Sequence, residues 1–278
     1  YLLITIIIIK LMPRLDSNFY DYYLDVGQGD SAVLIYPYKS KVVMIDTGGK
    51  LNYSEYEWMI SSKKYNISDN VIKFLKSKGI TKLDYLILTH GDSDHMKESI
   101  NLVNNYKVDM VIFNCGPYND LEKELIKVLD KKNIKYYSCI KELNVDNNKL
   151  YFLQTKEYDN ENDNSNVIYT KMNGYKFMFM ADAGTEKEKD ILNEYDISDI
   201  DVLKVGHHGS KTSSSRTFID GINPKYSIIS VGKNNRYGHP NKEVLNTLEN
   251  SKIYRTDQDC SIMFKIRNNK LKIETCNP

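Results

Sequence analysis

Short apolar runs alternate with amphipathic segments along most of the chain, and this pattern predicts an α/β protein. Apolar runs bounded by turn residues predict strands, whereas apolar residues spaced three and four apart predict helices. Strands are expected at residues 20–26, 31–36, 41–45, 83–88, 108–113, 149–154, 167–172, 175–180, 202–205, 226–231, 253–255, 261–266 and 270–274. Helices are expected at residues 70–78, 96–106, 121–132, 186–195 and 242–249. Two strand-rich halves with helices outside them predict an α/β (α+β) fold, a four-layer αββα sandwich.

The first residues form a separate apolar segment. Residues 2–12 are apolar except for Thr5 and Lys10, and this length is well short of the roughly 20 residues that a membrane span needs. It fits the apolar part of a signal peptide or the remnant of a membrane anchor. The alternative is a β-branched edge strand at residues 6–9. We therefore expect a leader or anchor remnant at 1–18 and one folded domain at 19–278.

Net charge and cysteine content exclude few of the possible functions. The 278 residues include 38 Lys and Arg against 37 Asp and Glu, a net charge of +1. This balance argues against a broadly basic nucleic-acid coat protein, although it allows a local basic groove. The four cysteines are widely spaced and form no C-x-x-C pair, so they are either two disulfides or free buried thiols.

The histidines follow apolar strands, and the densest group of them lies in the segment LILTHGDSDH. This segment places His90, Asp92, Asp94 and His95 within six residues. Imidazole and carboxylate together suit Zn²⁺, Mn²⁺ or Fe²⁺. The alternative is a solvated acidic turn in which Asp94 caps the following helix.

Two later strand ends carry further candidates. Asp182 follows a buried strand, where a carboxylate is costly unless it is paired or bound to metal. It could bridge two metal ions or, alternatively, cap the next helix. Of the adjacent His207 and His208, at least one is expected to be a hydrogen-bonded core residue. Asp46 is expected to orient a ligand or hold the glycine turn after it.

These motifs resemble those of the metallo-β-lactamase superfamily. THGDSDH is similar to its H-x-H-x-D-H motif, Asp46 matches its first motif, Asp182 its bridging Asp and His207 its late ligand His. LDVGQGDS, THGDSDH, KVGHHGSKTS and NRYGHP together look like the C-terminal hydrolase domain of ComEC-type competence proteins, over residues 19–274. The resemblance implies an αββα sandwich with a dinuclear metal site that acts on a DNA phosphodiester. The apolar segment at residues 2–12 favours a membrane-anchored or exported location in a bacterium over a cytoplasmic one.

The chain departs from the superfamily pattern in two places. Asp92 stands where most members have a second His, and no His lies between His95 and Asp182. Asn164, Ser165 and Asn166 occupy the region where a third-motif His is usual. One metal site is therefore expected to be weak, rich in water, or better suited to Mn²⁺ or Mg²⁺ than to Zn²⁺.

The resemblance implies a set of roles for the candidate residues. One ion is assigned to His90, Asp92 and Asp182, and the other to Asp94, His95, Asp182 and His207. Asp46, Asp30, His208 and Ser165 are expected to support these ligands from behind. His239 and Lys211, with Asp94, are the catalytic candidates for contacts to the phosphate or the leaving group. Their alternatives are a turn histidine and a surface lysine.

Three functions compete. The first is a nuclease or phosphodiesterase with two divalent ions, Zn²⁺ or Mn²⁺ or else Mg²⁺, and DNA as substrate. The second is a hydrolase of another ester, such as a phosphocholine esterase, a lactonase or a β-lactamase. The third is a non-catalytic DNA-binding competence module. No protein partner is predicted. The membrane channel of full-length ComEC proteins lies outside the resemblance, so a role in DNA uptake does not follow directly.

Overall fold

Two mixed β-sheets lie face to face in the computed structural model, which describes residues 15–49 and 66–276. The predicted leader at residues 2–12, including the alternative strand at 6–9, lies outside the described residues. The strands are β1 Phe19–Tyr23, β2 Ala32–Ile35, β3 Val42–Ile45, β4 Lys82–Leu83, β5 Tyr85–Ile87, β6 Lys107–Val108, β7 Met110–Phe113, β8 Lys135–Ser138, β9 Glu142–Val145, β10 Asn148–Phe152, β11 Ile168–Met172, β12 Tyr175–Phe179, β13 Val202–Lys204, β14 Tyr226–Ile229, β15 Lys252–Arg255, β16 Ile262–Arg267 and β17 Lys270–Thr275.

The first sheet contains strands from both ends of the chain, and the second contains strands from its middle. The first sheet has the order β17-β16-β1-β2-β3-β5-β7-β8, and the second has the order β15-β14-β13-β12-β11-β10-β9. The short strands β4 and β6 pair separately. The helices are α1 Ile67–Ser77, α2 Ser93–Met96, α3 Ser99–Asn105, α4 Asp120–Lys132, α5 Thr185–Glu194, α6 Arg216–Ile222, α7 Lys242–Thr247 and α8 Thr256–Asp259.

Three apolar clusters define four layers. The central cluster lies between the sheets and includes Phe19, Leu34 and Phe177. Helices α1, α3 and α4 pack on the outer face of the first sheet, and α5, α6 and α7 pack on the outer face of the second. Each strand can serve two clusters because successive side chains point to opposite faces. The predicted αββα sandwich is therefore confirmed.

Parallel strands from both sheets end at the same side of the molecule. In the first sheet β3, β5 and β7 run parallel. In the second sheet β12, β13, β14 and β15 run parallel. The loops that follow these strands carry the candidate site, as expected for ligand sites beyond the carboxyl ends of parallel strands.

Some predicted elements differ in detail. The helix expected at residues 96–106 is observed as α3, Ser99–Asn105, and Lys97 and Glu98 separate it from the short α2 before it. The Glu98 carboxylate accepts a hydrogen bond from the Ser68 N–H, and this contact holds the break against α1. Strands β8 and β9 are mostly exposed and lack the apolar alternation that predicts strands. Helix α6 is short and contains Gly221, although Ser215 caps it by accepting from the Phe218 N–H.

One disulfide joins the loops after β7 and β8, between Cys115 and Cys139. Cys260 and Cys276 are free. In the described parts of the chain, every helix is too short or too polar to cross a membrane.

Candidate metal centre

The loops after four strands bring the predicted ligands together. Asp46 follows β3, His90 follows β5, Asp182 follows β12, and His207 and His208 follow β13. Positive φ angles occur at these strand ends: 56° at Asp46, 47° at His207 and 54° at His208. Such backbone conformations are costly for residues other than glycine and cluster at functional sites.

Asp182 lies between two pairs of histidines. Its Oδ1 atom is 3.1 Å from Nε2 of His95 and 3.9 Å from Nε2 of His208. Its Oδ2 atom is 3.6 Å from Nε2 of His207 and 3.9 Å from Nε2 of His90. The two oxygens of one buried carboxylate therefore face two different groups of imidazoles.

Two further carboxylates complete these groups. Asp94 Oδ2 is 3.2 Å from Nε2 of His208, and Asp92 Oδ2 is 3.6 Å from Nε2 of His90. Asp92 begins α2 but makes no side-chain cap hydrogen bond, and α5 begins after Gly184. Neither Asp94 nor Asp182 is therefore the capping residue of the following helix.

The Nδ1 atoms of the same histidines face away from Asp182 toward local partners. Nδ1 of His95 is 2.8 Å from Asp46 Oδ2, and Nδ1 of His208 is 2.9 Å from the carbonyl oxygen of Ser230. Nδ1 of His90 is 3.2 Å from the Thr89 hydroxyl, and Nδ1 of His207 is 3.2 Å from the Thr212 hydroxyl. Partners on Nδ1 orient the rings and leave Nε2 for a ligand.

Two buried carboxylates behind the histidines, Asp46 and Asp30, are themselves held by hydrogen bonds. The Thr89 N–H and hydroxyl both donate to the Asp46 carboxylate, at 2.8 and 2.6 Å. The Lys204 ammonium donates to Asp30 Oδ2 at 2.7 Å, and Asp30 Oδ1 lies 3.3 Å from Nδ1 of His208. Asp46 and Asp30 therefore contact His95 and His208 at Nδ1, on the side of each ring away from Asp182.

Opposing charges shift the pKa values of these groups strongly. Burial would raise the pKa of Asp182, but the nearby His95 and His208 hold it well below its usual range. Burial would lower the pKa of His95, but Asp182 and Asp46 raise it well above its usual range. The pKa of His208 rises to about 10 for the same reason, through Asp182 and Asp30. The histidines and carboxylates of the centre therefore each favour the charged form of the other.

The donor atoms fit divalent metal ions. Within residues 15–49 and 66–276, Nε2 of His90, Nε2 of His95 and Oδ1 of Asp182 are buried and make no hydrogen bond. Ligand atoms of His90, His95 and Asp182 lie within 4.8 Å of one another, as do those of Asp94, His95 and His208. Buried polar atoms that converge without partners are expected where an ion binds. The chain thus has a candidate His/Asp metal site.

The other predicted site residues lie at different distances from this centre. His239 lies near it, with its ring 5.9 Å from that of His207 and stacked on Tyr237. Burial, together with the charges of His208 and His207, lowers the pKa of His239 to about 4. Lys211 is exposed in the loop after His208. Ser165 instead lines a separate cavity.

Sequence reasoning missed several supporting groups. Thr89 adjoins His90 in the motif and could have been noticed there. Thr212 lies in the KVGHHGSKTS motif, and Tyr237 lies in NRYGHP. The carbonyl of Ser230 had no signal, because every residue has a carbonyl and only the fold places this one beside His208.

Comparison with known proteins identifies the class. The family model for the metallo-β-lactamase superfamily matches residues 24–114. The solved structure of YhfI from Bacillus subtilis, a metallo-β-lactamase fold protein, is similar with a TM-score of 0.55. It is 8% identical, and the match covers 85% of this chain and 96% of that one. The chain belongs to the metallo-β-lactamase superfamily, whose fold is found in hydrolases.

Curated relatives place it more narrowly. The chain is 34% identical to ComE operon protein 3 of Bacillus subtilis (strain 168) over 93% of its own length and 34% of that protein. It is 28% identical to competence protein ComA of Neisseria gonorrhoeae, over 73% of this chain and 28% of that protein. It is a ComEC-like member of the superfamily, as the sequence motifs predicted. The chain spans about a third or less of the length of these relatives.

Proposed function

We propose that this chain hydrolyses phosphodiester bonds of DNA with two divalent metal ions held on either side of Asp182. The observation that carries the proposal is the Asp182 carboxylate, whose two oxygens face separate groups of histidines. A pair of ions on one bridging carboxylate is a common arrangement for phosphoryl chemistry. The names of the curated relatives, which refer to competence, favour DNA as the substrate.

The geometry favours a regrouping of the ligands. We assign His90, Asp92, His207 and Asp182 Oδ2 to one ion, and Asp94, His95, His208 and Asp182 Oδ1 to the other. The assignment from sequence put His207 with His95 and left His208 as a supporting residue. In the regrouped assignment, His207 supplies an imidazole to the ion that His90 and Asp92 bind, where a third-motif histidine is missing.

The other side chains of the site orient the metal-binding histidines and contact the substrate. Bound ions would supply Lewis acidity and an activated water molecule. Asp46 and the Ser230 carbonyl fix the rings of His95 and His208 so that each Nε2 faces the centre. His239 is uncharged at neutral pH because of its low pKa, so it serves as a neutral hydrogen-bonding group beside the substrate. Lys211, which is exposed, is proposed to contact a phosphate.

The ligand set also indicates which divalent ions suit the site. Mixed imidazole and carboxylate ligands suit Mn²⁺ or Zn²⁺, and an exposed ligand such as Asp92 leaves room for the water ligands of Mg²⁺.

We further propose a membrane-anchored or exported location, which the competence relatives support. A role in DNA uptake is part of the same proposal.

Metal analysis and phosphodiesterase assays test the proposal. The purified protein is assayed with Mn²⁺, Mg²⁺ and Zn²⁺ on DNA, RNA and bis-p-nitrophenyl phosphate. We expect about two ions per chain and cleavage of DNA. Asp182→Asn should lower the metal content and reduce turnover by about 100-fold or more. The control Asp196→Asn changes an exposed carboxylate away from the centre.

Two results would contradict different parts of the proposal. Full metal content and activity in Asp182→Asn would exclude the bridging role. Failure of the metal-loaded wild type to cleave DNA, RNA and bis-p-nitrophenyl phosphate would exclude the nuclease function. Turnover of phosphocholine esters or lactones in that case would favour the second candidate function.

A further inference from the structure

A second cavity lies beside the candidate metal centre. Its volume is about 440 Å³, and neither the histidines nor the ligand carboxylates of the centre line it. Asn166 connects the two sites, because its N–H donates to the carbonyl of Thr89 at 2.8 Å and the residue also lines the cavity. The Cys115–Cys139 disulfide lies on another wall.

Lys187 places a buried positive charge at this cavity. It lies on the inward face of α5 with Ile191 and is 4% exposed. Its ammonium donates one hydrogen bond, to the carbonyl oxygen of Ser165 at 2.7 Å, and lies 5.6 Å from the ring centroid of Tyr158. In the part of the chain that the structure describes, no carboxylate forms an ion pair with it, so two of its N–H groups remain for another acceptor.

The surroundings do not compensate this charge. Burial lowers the pKa of Lys187 to about 8, and the more distant Asp163 opposes that effect only in part. Lys187 is also the third residue of α5, where the helix dipole disfavours a cation. An uncompensated buried ammonium is expensive, and an anionic ligand in the cavity would remove this cost.

A hydroxyl beside the ammonium offers a second contact. Ser165 is 1% exposed and lines the cavity, and its Oγ atom has no hydrogen-bond partner among the described residues. At the rim, Lys156 pairs with Glu186 and Asp190, and the exposed Glu157 is the one carboxylate among the described residues that line the cavity. Phe152, Leu153 and Val167 supply apolar walls suited to an organic group.

We propose that this cavity binds a small phosphomonoester, with its phosphate on the Lys187 ammonium and the Ser165 hydroxyl. Lysine binds phosphate as a compact point charge, and a hydroxyl can donate to a phosphoryl oxygen. A volume of about 440 Å³ is within the range of small-molecule sites and accommodates a sugar phosphate or a mononucleotide. The proposal does not depend on the nuclease activity, because none of its contacts involves a metal ligand.

Calorimetric titration with thymidine 5′-monophosphate tests this proposal, with thymidine as the ligand that lacks phosphate. Wild type and Asp182→Asn are both titrated, because binding at the metal centre should be lost in the second protein. We expect the nucleotide, but not thymidine, to bind in both. Lys187→Met should weaken binding by about 10-fold or more, and Ser165→Ala by about 3-fold to 10-fold.

Lys189→Met is the matched control, because Lys189 is an exposed lysine on the same helix; it should bind like the wild type. Ser165→Ala removes a hydroxyl without a partner, so it tests the site even if Lys187→Met fails to fold. Equal binding of thymidine and its monophosphate would overturn the proposal. So would binding that Asp182→Asn abolishes, or that Ser165→Ala and a folded Lys187→Met leave unchanged.

Discussion

At the scale of the residue, the direction of each histidine ring determines which oxygen of Asp182 its Nε2 atom faces. His207 and His208 are neighbours in the chain, yet their Nε2 atoms lie nearest to opposite oxygens of Asp182. Positive φ angles at both residues turn the backbone sharply between them. The same tight turn that places the pair therefore points their rings toward different oxygens of Asp182.

Substitution of Asp46 tests how the ring of His95 is oriented, without changing any proposed metal ligand. Its carboxylate accepts hydrogen bonds from the Thr89 N–H, the Thr89 hydroxyl and Nδ1 of His95. Asp46→Asn keeps the shape but places an N–H₂ group against donors. We expect metal affinity to fall by about 10-fold to 100-fold, as for other partners of metal-binding histidines.

Metal titration of the purified variant measures this effect. Asp120→Asn is the control, because Asp120 is fully exposed at the start of α4. Unchanged metal affinity in Asp46→Asn would show that Thr89 and packing alone orient His95.

The candidate ligands could be found from the sequence, but their grouping could not. THGDSDH and the residues after β12 and β13 are visible as polar motifs at strand ends. Which imidazole faces which oxygen of Asp182 depends on side-chain directions across the two sheets. Ser165 shows the same limit, because its position in the chain pointed to the metal centre while the fold places it in the neighbouring cavity.

At the scale of the element, tight turns set how closely the loops approach the centre. Gly29 has a φ of 144°, and a Cβ atom there would lie 2.3 Å from the carbonyl oxygen of Asp94. The Asp30 N–H donates to that same carbonyl at 3.2 Å. The turn before β2 therefore packs directly against α2, which carries two candidate ligands.

Gly29→Ala should displace α2 and weaken metal binding by more than about 10-fold, with a loss of stability of about 1–3 kcal/mol. Gly27→Ala is the matched control. Gly27 also has a positive φ, 78°, but a Cβ atom there would contact nothing within 4 Å. It should cost only about 1 kcal/mol of stability and leave metal affinity intact.

Metal titration and thermal unfolding of both variants separate the two effects. Equal metal affinity in the two variants would argue that the contact of Gly29 with Asp94 does not position the ligands.

Buried elements were predictable from the sequence, whereas exposed ones were not. Strands β2 and β3 are buried at every position and β12 at its last three, and all three were predicted close to their observed bounds. Strands β8 and β9 depend on pairing with neighbours at the ends of the sheets rather than on their own apolar pattern. The break between α2 and α3 depends on the contact of Glu98 with α1, which local spacing does not reveal.

At the scale of the whole molecule, an acidic residue in the layer between the sheets links stability to pH. Asp21 lies on β1 between Phe19 and Tyr23, is fully buried, and pairs across the sheet with Leu34 and Phe264. Burial raises the pKa of Asp21 to about 8, with a smaller opposing effect from the Tyr23 hydroxyl.

This pKa lies above the value of about 3.9 for an unfolded chain, so folding favours the protonated carboxyl. The contribution of Asp21 to stability is therefore fully present below about pH 4 and is lost as pH rises toward about 8. The loss is at most about 1.4 kcal/mol per pH unit. Asp21→Asn should remove this slope.

Urea unfolding of wild type and Asp21→Asn between pH 5 and pH 9 measures the difference. We expect the free energies of unfolding to diverge as pH rises, because the amide that replaces the carboxyl does not titrate. Asp196→Asn, which changes an exposed carboxylate, should follow the wild type. Parallel curves for wild type and Asp21→Asn would show that Asp21 is ionised in both states.

The position of the centre between the sheets has a consequence for the unfolded chain. Asp94 lies on α2, in the connection after β5 of the first sheet, and His208 lies in the loop after β13 of the second; they are separated by 114 residues in sequence. An ion bound to both would close a loop of that length, and the entropy of loop closure grows with the logarithm of the number of residues. Bound metal would then act as a reversible cross-link between the two halves, so that metal loading and the assembly of the sandwich become one coupled equilibrium.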